Sequence, residues 1–183
     1  MAEAAEDRAV DAAREHCLSL LATRSRTRFE LAEALRRRGV DPLVSERVLT
    51  RLEEVGLVDD QAVAVAYAEK HAGNKGPRAV AAALQRQGID PCLALEVAFA
   101  GSPDDVRAAA VTLARQKLPS WRGQPGPVVE RRLAALLARR GYPAGVVFSV
   151  VREVLGDSSQ SAVDPAELQT WAESDGDGRC PSS

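Results

Sequence analysis

Three segments of this chain close in the same way, and that repeat limits what the chain can fold into. Residues 35–41 read LRRRGVD, residues 84–90 read LQRQGID, and residues 137–143 read LARRGYP. Their glycines, Gly39, Gly88 and Gly141, lie 49 and then 53 residues apart. Four residues before each leucine stands another apolar residue: Leu31, Val80 and Leu133. After each glycine, apolar residues recur at helical spacing: Val40, Val44, Val48; Ile89, Leu93, Val97; Tyr142, Val146, Val150. A period near 50 residues marks stacked helical modules. Glycine belongs at the closing position because a helix that ends on a residue at positive φ is least strained there without a side chain.

The flanking residues mark helix starts. Asp41-Pro42, Asp90-Pro91 and Ser102-Pro103 each set a capping side chain before a proline. The proline's missing N–H costs nothing in the first turn. Opening helices precede each repeat, with stripes at Val10, Ala13, Cys17, Leu20 and Leu21, at Val63, Ala66, Tyr67 and Lys70, and at Val106, Ala109, Ala110, Leu113 and Ala114. Period-two alternation is nearly absent, and aromatic residues are only 4% of the chain, so small aliphatic side chains must fill the core. The expected fold is all-α, about nine helices in three tandem three-helix modules. The modules span 9–57, 58–101 and 102–156, between a flexible N-terminus at 1–8 and a disordered acidic tail at 157–183. A module of this size has a marginal core alone, so stacking on its neighbours supplies further burial.

Charge is unevenly placed. Residues 9–156 carry 22 Lys+Arg against 17 Asp+Glu, whereas residues 157–183 carry one Arg and six acids. The basic excess permits contact with an anionic partner without requiring it. Arginines outnumber lysines 21 to three, and their planar forks suit carboxylates and phosphates. They gather at helix junctions: Arg24, Arg26 and Arg28; Arg36, Arg37 and Arg38; Arg131, Arg132, Arg139 and Arg140. In terminal turns such residues also satisfy helix carbonyls and the helix dipole.

Catalysis is not supported. His16 and His71 are isolated, and Cys17, Cys92 and Cys180 lack metal-ligand spacing. Neighbouring Asp59 and Asp60 point ~100° apart on a helix, which suits capping of the helix beginning near Gln61 better than shared acid–base chemistry. The stretch GNKGPR at 73–78 is not a phosphate loop, because Lys75 precedes Gly76 and Pro77 lacks the N–H that would face a phosphate. It reads as a helix end at Gly73, a turn, and a new helix entered through Pro77. No cofactor or metal site is indicated. No stretch approaches the ~20 apolar residues that span a bilayer, and the acidic start lacks the apolar run of a signal peptide, so a cytoplasmic protein is expected.

Gly56-Leu57-Val58-Asp59-Asp60, then Ala64 and Tyr67, then Gly76-Pro77-Arg78, Val80, Leu84 and Gly88-Ile89 closely resemble the central signature of RecX proteins. Residues 24–31, RSRTRFEL, resemble the turn in that family's first module. The resemblance covers about residues 9–156 and departs at Val63, His71 and Ala83. It implies tandem three-helix modules forming an elongated curved rod that binds the RecA recombinase in the groove of its filament on DNA. It also implies a non-enzymatic regulator that restrains RecA ATP hydrolysis, filament growth and strand exchange in recombination, DNA repair and the SOS response; a monomer is expected, with the sequence leaving oligomeric state open. The contact candidates are Arg24, Arg26, Arg28, Asp59, Asp60, Lys75, Arg78, Arg131 and Arg132, facing RecA, with single- or double-stranded DNA as a second candidate partner. The competing reading is a free-standing DNA-binding helical protein, whose binding would need no RecA and would fall steeply with salt.

Overall fold

A computed structural model of the chain describes residues 2–156, with side chains from residue 6 onward. The described residues form nine α-helices, one short 3-10 helix and no strand. The helices are α1 (Ala2–Leu21), α2 (Arg28–Arg37), α3 (Pro42–Glu54), α4 (Asp60–His71), α5 (Pro77–Arg86), α6 (Pro91–Phe99), α7 (Pro103–Lys117), α8 (Gly126–Arg139) and α9 (Ala144–Leu155), with the 3-10 helix at Leu118–Trp121. The expected acidic tail at 157–183 lies outside the described residues. Residues 6–8, expected as part of a flexible N-terminus, continue α1, and Glu6 lies 3.5 Å from Arg47 on α3.

The helix starts are the ones the capping residues announce. Asp41 accepts from the Leu43 N–H, Asp90 from those of Cys92 and Leu93, and Ser102 from that of Asp104, each just ahead of a proline. The repeated glycines close α2, α5 and α8 at positive φ: 74° at Gly39, 77° at Gly88 and 81° at Gly141. In each case the next residue bonds back into the helix, Val40 and Ile89 to the carbonyls of Leu35 and Leu84, Tyr142 to that of Leu137. The second and third repeats differ in length because α8 has 14 residues where α2 and α5 have 10. The starts Arg28, Pro77 and Gly126 are evenly spaced, so the added turn lies inside α8.

Each run of three helices encloses its own core, and in each the third helix packs on both others. The first core joins Ala13 and Cys17 to Leu31, Leu35, Val44, Val48, Leu49, Leu52 and Val58. The second is the smallest: Ala64, Val80, Leu84, Ile89 and Ala94. The third is built on Ala110, Leu113, Leu133, Leu137, Tyr142, Val147 and Val150. The expected stripes of α1 and α7 face their cores. That of α4 is rotated: Ala64 is the buried residue, Val63, Tyr67 and Ala68 flank it, and Ala66 and Lys70 face solvent. Alanine and a lysine stem carry too little apolar weight to set the register of α4, so packing against α5 and α6 sets it.

Candidate partner-binding surface and the joints between units

Consecutive three-helix units meet at two joints built alike. At the first, the turn entering α2 lies on the turn leaving α5. Thr27, fully buried, donates its hydroxyl to the Gln87 carbonyl at 2.7 Å and accepts from the Glu30 N–H at 3.1 Å. At the second, the turn entering α5 lies on the turn leaving α8. The Gly76 N–H donates to the Arg140 carbonyl at 2.7 Å, and the Arg78 N–H to the Gly141 carbonyl at 3.1 Å. Thr27 and Gly76 are equivalent N-cap positions, and Gln87 and Arg140 each precede a repeat glycine. One backbone arrangement is therefore used twice, with a threonine hydroxyl donating in one joint and a backbone N–H in the other.

The joint glycines have a second reason to be glycine. A Cβ at Gly76 would sit 2.4 Å from the Gly141 carbonyl carbon and oxygen, one at Gly141 would sit 2.3 Å from the Ala79 nitrogen, and one at Gly88 would sit 2.2 Å from the Phe29 side chain. Gly39 takes part in neither joint, and a Cβ there meets nothing within 4 Å. GNKGPR is thus a joint in a stronger sense than a link between helices: Gly76, Pro77 and Arg78 are the surface on which the third unit seats.

Most of the candidate contact residues are engaged inside the chain. Arg24 holds both oxygens of Glu30, at 2.7 and 3.0 Å, and this bond more than any other effect keeps the Glu30 carboxyl below its ordinary range. Arg28 bridges Glu46 at 2.6 Å and Glu53 at 3.0 Å, pairs that fasten α2 to α3. Arg26 turns its Nε toward the Leu20 carbonyl, and Arg132 donates to Gln124 at 2.7 Å. Lys75 donates to the Tyr67 hydroxyl at 2.6 Å, with its ammonium 5.0 Å from the ring centre. Asp59 caps α4 through the Ala62 N–H, as its position predicts. Asp60 does something local sequence does not announce: it accepts the Arg28 N–H at 2.8 Å and so caps α2 from the next unit. Burial pushes its carboxyl above the ordinary range, partly offset by that bond.

Arg78 and Arg131 stand apart. Both are exposed, and neither side chain has an ion pair or hydrogen bond among the described residues. They share one register, two residues before Val80 and Leu133, which occupy matching core positions. Thr27 and Phe29 are the joint residues that sequence reasoning missed. The available signal was the Thr27-x-x-Glu30 capping pattern, which marks a helix start but not what the hydroxyl's donor side will meet. No group of three or more His, Cys, Asp or Glu among the described residues is placed to hold a metal ion, and no helix there is long and apolar enough to cross a membrane.

Tandem three-helix units locked through paired helix-end turns define an all-α repeat protein whose recognisable machinery is its joints. Family comparison agrees. Residues 13–52 match the first three-helix domain of RecX, and residues 104–151 match the third. The regulatory protein RecX of Thermobifida fusca is 44% identical over 145 residues, covering 78% of each chain. That of Streptomyces coelicolor is 39% identical over 154 residues, covering 82% of this chain and 81% of its own. The crystal structure of RecX from Lactobacillus salivarius superposes with a TM-score of 0.76 at 19% identity, over 80% of this chain and 97% of that one. The chain belongs to the RecX family, whose members here are named as regulatory proteins.

Proposed function

We propose that this chain restrains a RecA recombinase by lying along its filament on DNA, with the three units, about residues 9–57, 58–101 and 102–156, contacting successive protomers. Family membership supports the reading. The observation that carries it is the matched pair Arg78 and Arg131, exposed at one register on two units held by a repeated joint. Side chains repeated at a fixed offset on a stiff body suit a partner that itself repeats. Each contact can then be weak, because the first raises the effective concentration of the second. Bridging neighbouring protomers favours one filament state over others and so slows the rearrangements of nucleotide turnover and strand exchange.

The remaining candidates support the body that presents this pair. Arg24, Arg28 and Asp60 hold α2 to its surroundings, and Lys75 steadies the turn before Gly76. Binding of the chain to labelled single-stranded DNA, bare and coated with RecA, tests the proposal at several salt concentrations. Tight binding only to the coated strand is the expected result. Equal binding to bare DNA, falling steeply with salt, would favour the free-standing DNA-binding reading.

A further inference from the structure

Between the second and third units, beside their joint and sharing Pro77 with it, lies a cleft of about 480 Å³ that the proposed RecA contact does not use. Ligand clefts span ~300–1,000 Å³. Its walls are apolar: Val65 and Ala68 from α4, Val97 and Ala98 from α6, Val106 from α7, and Pro77. Glu69, Glu96 and Asp105, from three different helices, also line it. All three are exposed, and none has an ion pair among the described residues. The single cation of the lining, Lys75, is already bonded to Tyr67. Tyr142 also lines the cleft, is 3% exposed, and its hydroxyl has no hydrogen-bond partner.

We propose that this cleft is a docking site for a short segment of a partner protein that sets apolar side chains beside lysines or arginines. Apolar walls take the apolar side chains, and three unpaired carboxylates on three helices favour a ligand with several cations over one with a single charge. The buried Tyr142 hydroxyl lacks the partner that such groups normally have, so a small opening of the cleft on binding lets a backbone group of the segment supply it. The chain's own C-terminal residues are unsuited, with six acids and one arginine. This inference is independent of the RecA reading, and its test contains no RecA.

The probe is a fluorescein-labelled peptide Leu-Lys-Leu-Leu-Lys-Leu-Leu-Lys, compared by anisotropy with the same peptide carrying Glu for Lys. Exposed ion pairs are individually weak, so three together give about tenfold preference for the lysine peptide. Val65→Trp fills the cleft from a residue that is 40% exposed and so leaves the cores intact. That variant and the triple variant Glu69→Gln, Glu96→Gln, Asp105→Asn should each weaken the lysine peptide about tenfold, with circular dichroism and Tm unchanged. Undiminished binding to Val65→Trp, or equal binding of the two peptides, overturns the proposal. Phenethylammonium chloride binding as tightly as the peptide overturns it too, by assigning the cleft to free organic cations.

Discussion

Replacing Gly76 by alanine tests the second joint with little else disturbed. Gly76 has φ −74° and ψ 163°, extended backbone open to any residue, so alanine brings no conformational strain. What it brings is a methyl group 2.4 Å from the Gly141 carbonyl and 2.5 Å from the Tyr142 nitrogen, both backbone atoms with no rotamer to change. The joint has two responses. Held shut, it is overpacked, at a cost of about 1–3 kcal/mol. Pushed apart, it loses the Gly76–Arg140 and Arg78–Gly141 hydrogen bonds, worth about 1 kcal/mol each. Both routes converge on about 2 kcal/mol, a Tm fall of ~4–8 °C for a chain of this size. Gly73→Ala is the control, because a Cβ there meets nothing within 4 Å and φ is not positive. Urea unfolding and calorimetry of both variants decide the matter. A Gly76→Ala protein within about 0.5 kcal/mol of the parent would refute the claim that the joint is closely seated.

The first joint yields to Thr27→Val, which keeps shape but removes the hydroxyl that serves Gln87 and Glu30; urea unfolding should register a loss of about 1–2 kcal/mol. At Asp60, burial raises the folded-state pKa, so the native state holds that proton more tightly than the unfolded chain does. The stabilisation from that proton is complete below the ordinary carboxylate range and is lost as pH rises through the folded pKa. Asp60→Asn keeps an acceptor for the Arg28 N–H. Its urea midpoint should therefore match the parent near about pH 3 and equal or exceed it at about pH 7, while Asp60→Ala, which orphans that N–H, should lose about 1 kcal/mol at both. For function, Arg78→Glu with Arg131→Glu should weaken binding to RecA-coated DNA about tenfold or more with Tm unchanged. Arg24→Gln, by contrast, should cost at most about 1 kcal/mol of stability, the usual scale of an exposed pair.

Local chemistry was legible in the sequence. The glycine at the end of α2, α5 and α8, the Asp-Pro and Ser-Pro starts, and the stripes of α1 and α7 each depend on residues within a turn or two, and each is where the pattern places it. The misread register of α4 has the same origin: with alanines on most faces, the periodicity carried no preference, and the neighbouring helices decided. What the sequence did not display is long-range. Asp60 next to Asp59 looks like a second cap for α4, but its carboxylate reaches the start of α2, 32 residues earlier. Gly88 and Gly141 fit a helix end so well that nothing hinted at a neighbouring unit pressed against them. The arginine clusters advertised positive charge, yet Arg24 and Arg28 are committed to Glu30, Glu46 and Glu53. Among the candidate contacts, the lack of a partner among the described residues is what separates Arg78 and Arg131 from the structural ion pairs.

The central claim is that jointed helical units form one stiff body that restrains a recombinase filament. Its most direct test is the rate of ATP hydrolysis by RecA on single-stranded DNA as this chain is titrated in, alongside the Gly76→Ala variant. The account predicts a progressive fall in rate with the parent at micromolar concentrations and a weaker effect from the variant, whose second joint is loosened. A hydrolysis rate unmoved by micromolar excess of the parent chain would contradict it.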